Sequence, residues 1–131
     1  MARRPSNTPT EGELAILQVL WEAGPASVRE IHNRMAGERE EEGRETGYST
    51  TLKMMQLMTE KGLLLRDESV RPQVYRPAEP EEKTQLQLLD SLIQKGFRGS
   101  AMRLVLRAAA AERISKEELG QIRKMLDRAK P

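Results

Sequence analysis

Cysteine is absent from all 131 residues, which excludes disulfides, thiol catalysis and any cysteine-built metal sensor. Aromatic side chains make up only 3% of the chain, so a core has to be assembled from Leu, Ile, Val and Met. No apolar run reaches the roughly 18 residues that a membrane span requires. The basic start, Met1-Ala2-Arg3-Arg4-Pro5, is not followed by the hydrophobic segment of a secretory signal. No glycine-rich loop of the P-loop or dinucleotide type is present. The sole histidine, His32, has no partners at metal-ligand spacing. Hydrolytic or nucleophilic catalysis needs a base held beside a nucleophile or a metal. A lone histidine next to a helical apolar face is instead the pattern of a packed or surface residue. The chain is therefore expected to be neither an enzyme nor a cofactor protein.

Charge of one sign is also missing in bulk. Residues 1–80 carry 11 Lys/Arg against 13 Asp/Glu, a net of −2, and residues 81–131 carry 11 against 7, a net of +4. Any affinity for nucleic acid in the first part must come from where the cations sit, not from their number.

The apolar spacing is helical in three places before residue 62. Thr10 and Glu13 form a capping box, and Leu14, Leu17 and Trp21 follow on one face until Gly24-Pro25. Ser27 and Glu30 form a second box ahead of Val28, Ile31 and Met35. Residues 36–47 show no apolar periodicity and are expected to be a solvated loop, its Glu40-Glu41-Glu42 run pointing away from any phosphate. A third helix is expected from about Ser49 to Lys61, with Gly62 in the C-terminal capping position. Its buried stripe is Thr51, Met54, Met55 and Met58, where helical spacing favours core packing over a soft-metal site.

Two β-like runs come next, Leu63 to Asp67 and Gln73 to Arg76, joined by a hairpin tip at residues 68–72. Pro77 and Pro80 mark a boundary. Beyond it, Leu86, Leu89, Leu92 and Ile93 form a stripe stopped by Gly96. Ser100 caps a helix bearing Met102, Val105, Leu106 and Ala109, and Ser115 with Glu118 opens another bearing Leu119, Ile122, Leu126 and Ala129. The expected fold is mainly α with a small β-wing: a flexible arm at 1–9, a winged helix-turn-helix at 10–78, and a helical dimerisation region at 79–131. A unit of about 50 residues gains much from burial against a second copy.

The third helix leaves Ser49, Thr50, Lys53 and Gln56 off the buried stripe. Hydroxyls and amides bond to base edges or phosphates, and lysine neutralises phosphate, so this face suits the major groove. The same residues also make an ordinary solvated helix face. Arg66, Arg71 and Arg76 place three guanidiniums on the hairpin, suited to phosphate or minor-groove contact. Cations on an exposed strand edge also simply prevent aggregation. A winged helix that docks a protein instead of DNA is the alternative these residues allow.

The stretch Gly47-Tyr48-Ser49-Thr50-Thr51-Leu52-Lys53-Met54-Met55-Gln56-Leu57-Met58-Thr59-Glu60-Lys61-Gly62-Leu63-Leu64 closely resembles the recognition helix of the BlaI/MecI family of penicillinase and methicillin-resistance repressors. Glu13 to Trp21 resembles that family's first helix. Arg66-Asp67-Glu68-Ser69 with Val74-Tyr75-Arg76-Pro77 resembles its wing, and Phe97 to Ala101 and Ser115 to Leu119 resemble parts of its tail. The resemblance spans about residues 10–128. It implies a cytoplasmic homodimer that binds a palindromic operator on double-stranded DNA and represses adjacent genes. By position, the DNA-binding set would be Tyr48, Ser49, Thr50, Thr51, Lys53 and Gln56 with wing residues Arg66, Arg71 and Arg76. The dimer interface would comprise Leu86, Leu89, Leu92, Ile93, Phe97, Val105, Leu119, Ile122 and Leu126. The resemblance also implies relief by a membrane-bound sensor protease that detects β-lactam. The corresponding segment here, Leu104 to Ala109, lacks the Asn-Phe pair of the best-known members. Copper-responsive relatives use a C-terminal cysteine cluster, which this chain does not have.

Overall fold

The computed structural model describes residues 8–41 and 47–129. Along them run α1 (Glu11–Ala23), α2 (Val28–Glu41), α3 (Tyr48–Glu60), β1 (Leu64–Asp67), β2 (Val74–Pro77), α4 (Glu81–Gly96), α5 (Ala101–Ala110) and α6 (Lys116–Ala129). β1 and β2 form an antiparallel ribbon in which Leu64 faces Pro77 and Asp67 faces Val74. The fold is mainly helical with a small β-wing, as the sequence led one to expect.

Local chemistry sets the helix ends. Thr10 Oγ1 accepts from the Glu13 amide at 3.2 Å, and Glu13 Oε1 accepts from the Thr10 amide at 2.9 Å. Ser27 and Glu30 repeat the exchange at the start of α2, at 3.2 and 2.9 Å. Each exchange satisfies donors that a helix start leaves without partners. At the end of α3, Gly62 takes φ +85°, a left-handed conformation that glycine adopts without Cβ strain. The Gly62 and Leu63 amides then donate to Thr59 O and Met58 O at 3.1 and 2.9 Å, closing the helix and turning the chain into β1.

The core joins Ile16, Leu17 and Leu20 of α1 to Val28, Ile31 and Met35 of α2, Met55 and Met58 of α3, Leu64 of β1 and Tyr75 of β2. The expected stripe of α2 is buried in full. On α3, Thr51, Met55 and Met58 are buried and Met54 is half-buried. On α1 the buried face differs from the expected one. Leu14 and Trp21 are only half-buried, while Ile16, Val19 and Leu20 go inside. α1 packs against both α2 and β2, so its buried arc is wider than a single stripe. The segment between α1 and α2 also clips onto the wing. Ala26 and Tyr75 exchange backbone hydrogen bonds at 3.1 and 2.8 Å.

The expected loop at 36–47 is in part helix, since α2 continues to Glu41. Once nucleated, a helix propagates through good formers such as Glu and Arg without an apolar stripe. Residues 42–46 of that loop, and residues 1–7 of the expected arm, lie outside the described residues.

One buried carboxylate ties α1 to α3. Glu13 is 7% exposed, and its Oε2 lies 2.7 Å from Lys61 Nζ just past the end of α3. Burial works against ionisation of Glu13. The hydrogen bonds from Lys61 and Thr10 outweigh it and hold the carboxyl below its ordinary value of 4.5.

The chain divides into two compact units, one ending at Leu88 and the other starting at Leu89. In the second unit, Ser100 Oγ caps α5 by accepting from the Arg103 amide at 3.1 Å, and Ser115 with Glu118 boxes the start of α6. Neither α5 nor α6 buries a residue. Met102, Val105 and Leu106 on α5, and Leu119, Met125 and Leu126 on α6, are exposed.

Candidate nucleic-acid interface

The orientation of α3 follows from its packed side. With Thr51, Met55 and Met58 inside, Ser49, Thr50, Lys53 and Gln56 are left on the outer side, Ser49 and Thr50 in the first turn. α3 carries no acidic residue before Glu60, its last position. Ahead of Glu60 that side offers two hydroxyls, an amide and an ammonium.

Two members of the expected DNA-binding set make contacts within the protein. Thr51 is 4% exposed, and its Oγ1 lies 3.1 Å from His32 Nδ1 on α2. It belongs to the α2–α3 packing, because the i, i+4, i+7 row that buries Met55 and Met58 also carries position 51 inward. Tyr48 packs at the start of α3 against α2. The Arg29 guanidinium stacks 4.1 Å from the centre of its ring, and the His32 ring meets it edge-on at 5.6 Å and 82°. His32 is thus a packing residue between α2 and the first turn of α3.

The three wing arginines have different surroundings. Arg66 pairs with Glu68 at 3.0 Å. A hydrogen bond with Tyr75 and the Glu68 carboxylate both favour its charged form. Arg76 is exposed on β2 and feels Asp67, whose carboxyl is held low mainly by hydrogen bonds from Ser69 and in part by Arg76. Arg71, at the tip, is exposed and pairs with no acid among the described residues. Arg71 and Gln73 of the wing, Ser27 and Arg29 at the start of α2, and Tyr48 of α3 line one open cleft of about 380 Å3. The structure therefore places Tyr48 and Arg71 together and adds Arg29, which sequence reading passed over. Its only signal was an arginine two residues after a capping serine.

Eight of the nine expected dimer residues lie on α4, α5 and α6, and the ninth, Phe97, follows the end of α4. Leu86, Leu89, Leu92, Val105, Leu119 and Leu126 are exposed, and Ile93, Phe97 and Ile122 are half-buried. Among the described residues there is no group of three or more His, Asp or Glu side chains placed to hold a metal. No helix among them is long and apolar enough to cross a membrane.

The chain is similar in structure to a MarR family protein from Bacillus stearothermophilus, with TM-score 0.50 and 23% identity over 92% of this chain and 71% of that one. At that identity the likeness speaks for the winged-helix fold alone. No curated protein matches the chain. The family model described as "Penicillinase repressor" matches residues 9–128, nearly the whole sequence. The chain therefore belongs to the penicillinase repressor (BlaI/MecI) family of DNA-binding transcription regulators.

Proposed function

We propose that this chain is a cytoplasmic, homodimeric repressor that inserts α3 into the major groove of a palindromic operator. The observation that carries the reading is the outer side of α3, which bears Ser49, Thr50, Lys53 and Gln56 and no carboxylate before the last residue of the helix, Glu60. Ser49 and Thr50, in the first turn, are placed to reach base edges, and Lys53 to neutralise a phosphate. Arg71 and Arg76 of the wing contact the sugar-phosphate backbone. Arg66, paired with Glu68, contributes less unless DNA displaces its partner.

Dimerisation falls to the second unit and α4. A two-fold pair of chains buries their exposed leucines and presents two α3 helices to two half-sites. Relief of repression by a membrane sensor protease rests on the family resemblance alone, since Leu104–Ala109 of α5 lacks the Asn-Phe pair of the best-known members. A winged helix that binds a protein is favoured only by the net charge of −2 over residues 1–80.

The experiment is a mobility shift on the DNA upstream of the chain's own gene, with unrelated competitor DNA. A competitor-resistant complex of two chains per duplex supports the reading. Failure to bind any DNA even at low salt contradicts it and leaves the protein-docking alternative.

A further inference from the structure

We infer that Arg29 of α2 is a backbone-phosphate ligand that acts with Arg71 of the wing, gripping a phosphodiester of the duplex beside the groove that α3 enters. The inference rests on the DNA-binding reading and assigns a role that neither the resemblance nor the family match supplies.

The local geometry makes Arg29 a ready donor. Its guanidinium is stacked 4.1 Å from the centre of the Tyr48 ring. A guanidinium carries five N–H donors, and a contact with one ring leaves donors for an acceptor that arrives from the open side. Arg29 is exposed and makes no ion pair with any described residue. The adjacent carboxylate, Glu30, is turned back onto the Ser27 amide at 2.9 Å. The stacking platform is itself held. The His32 ring meets Tyr48 edge-on at 5.6 Å, and His32 Nδ1 is tied to Thr51 Oγ1 at 3.1 Å. A guanidinium ordered in advance loses less rotamer freedom when an acceptor arrives.

The second observation is the cleft. Arg29 and Arg71 come from different elements and line the same open space of about 380 Å3, with Ser27 and Gln73, and no carboxylate lines it. Two planar forks around one acid-free space match the oxygens of a phosphate. The cleft adjoins the first turn of α3, which carries Ser49 and Thr50, since Tyr48 lines it. A duplex with α3 in its major groove carries a phosphate strand along each side of that groove. The chemistry recognised is thus a phosphodiester, and the duplex is the source that also engages Lys53.

The test uses the full chain and a fluorescein-labelled duplex of the DNA upstream of its own gene, titrated by anisotropy between about 50 and 200 mM salt. Arg29→Gln should weaken binding about tenfold per half-site at low salt, as removal of a charge-assisted hydrogen bond does. It should also make the log–log salt slope shallower by about 0.9 for each phosphate that is no longer neutralised. Arg29→Lys should keep the wild-type slope while giving up part of the affinity, because lysine retains the charge but neither the fork nor the flat stack. Arg29→Gln combined with Arg71→Gln should weaken binding less than the two single changes together, since both act on one phosphate. Wild-type binding with an Arg29→Gln variant of unchanged affinity and slope overturns the inference and spares the repressor reading. Weaker binding with an unchanged slope makes Arg29 a structural residue and also overturns it. A wild-type chain that binds no duplex overturns both.

Discussion

Glu13→Ala removes a carboxylate that does two things at once. Its Oε1 caps the Thr10 amide at 2.9 Å, and its Oε2 meets Lys61 Nζ at 2.7 Å from a site 7% exposed. The capping bond is charge-assisted and shielded, worth about 1.5 kcal/mol. The Lys61 end is 55% exposed, so solvent screening holds the ion pair to about 0.5 kcal/mol. Loss of both should cost about 2 kcal/mol, or roughly 8 °C in Tm for a chain of this size. Glu13→Gln keeps an acceptor for Thr10 and should cost about half as much. The assay is urea unfolding followed by the fluorescence of Trp21, the sole tryptophan, at one fixed protein concentration, since any self-association makes apparent stability depend on concentration. The pH dependence has a definite sign. The Glu13 carboxyl is held below its ordinary value of 4.5 in the folded chain, so its stabilisation is complete above that pH and disappears as pH falls through the lowered folded value. The gap between wild type and Glu13→Ala should be constant from about pH 7 to about pH 5 and should close below about 4.5. A variant within about 0.5 kcal/mol of wild type at neutral pH, or a gap that widens in acid, refutes the reasoning.

Two further outcomes follow from the same packing and exposure. Thr51→Val removes the Oγ1 bond to His32 from a site 4% exposed and should destabilise by about 1 kcal/mol, measured by the same unfolding assay, while leaving DNA affinity of the folded chain near wild type. A large drop in affinity at unchanged stability would return Thr51 to the DNA-contacting set. Leu126→Glu changes a residue 63% exposed, so a single chain should tolerate it, and under the proposed function sedimentation should show a dimer for wild type and monomers for the variant. A fully dimeric variant would take Leu126 out of the interface.

Much of the fold was legible because its signals are local. Capping boxes at Thr10, Ser27 and Ser115 need only residues three apart, and each closes as expected. The hairpin likewise follows from two short runs and a turn, and Val28, Ile31 and Met35 are buried together. What escaped depends on neighbours distant in sequence. Glu13 reads as a capping residue, and nothing within three positions shows that Lys61, 48 residues on, shares its carboxylate. The α1 stripe was misjudged because β2 widens the buried arc of that helix. Thr51 sits one position from exposed Thr50, and a single step of 100° around the helix turns an expected DNA contact into a packing residue. Arg29 was invisible for the same reason as Lys61, since its meaning comes from Tyr48, 19 residues later. The end of α2 was missed because polar helix lacks the periodicity by which helices are recognised.

The central claim is that the outer side of α3 binds the DNA backbone and bases, and it is tested most directly by the salt dependence of DNA affinity for wild type and Lys53→Ala. The account predicts a steep negative log–log slope for wild type, and for Lys53→Ala weaker binding with a slope shallower by about 0.9 for each phosphate left unneutralised. A flat slope for wild type, or a Lys53→Ala variant that matches it in affinity and slope, would contradict the account.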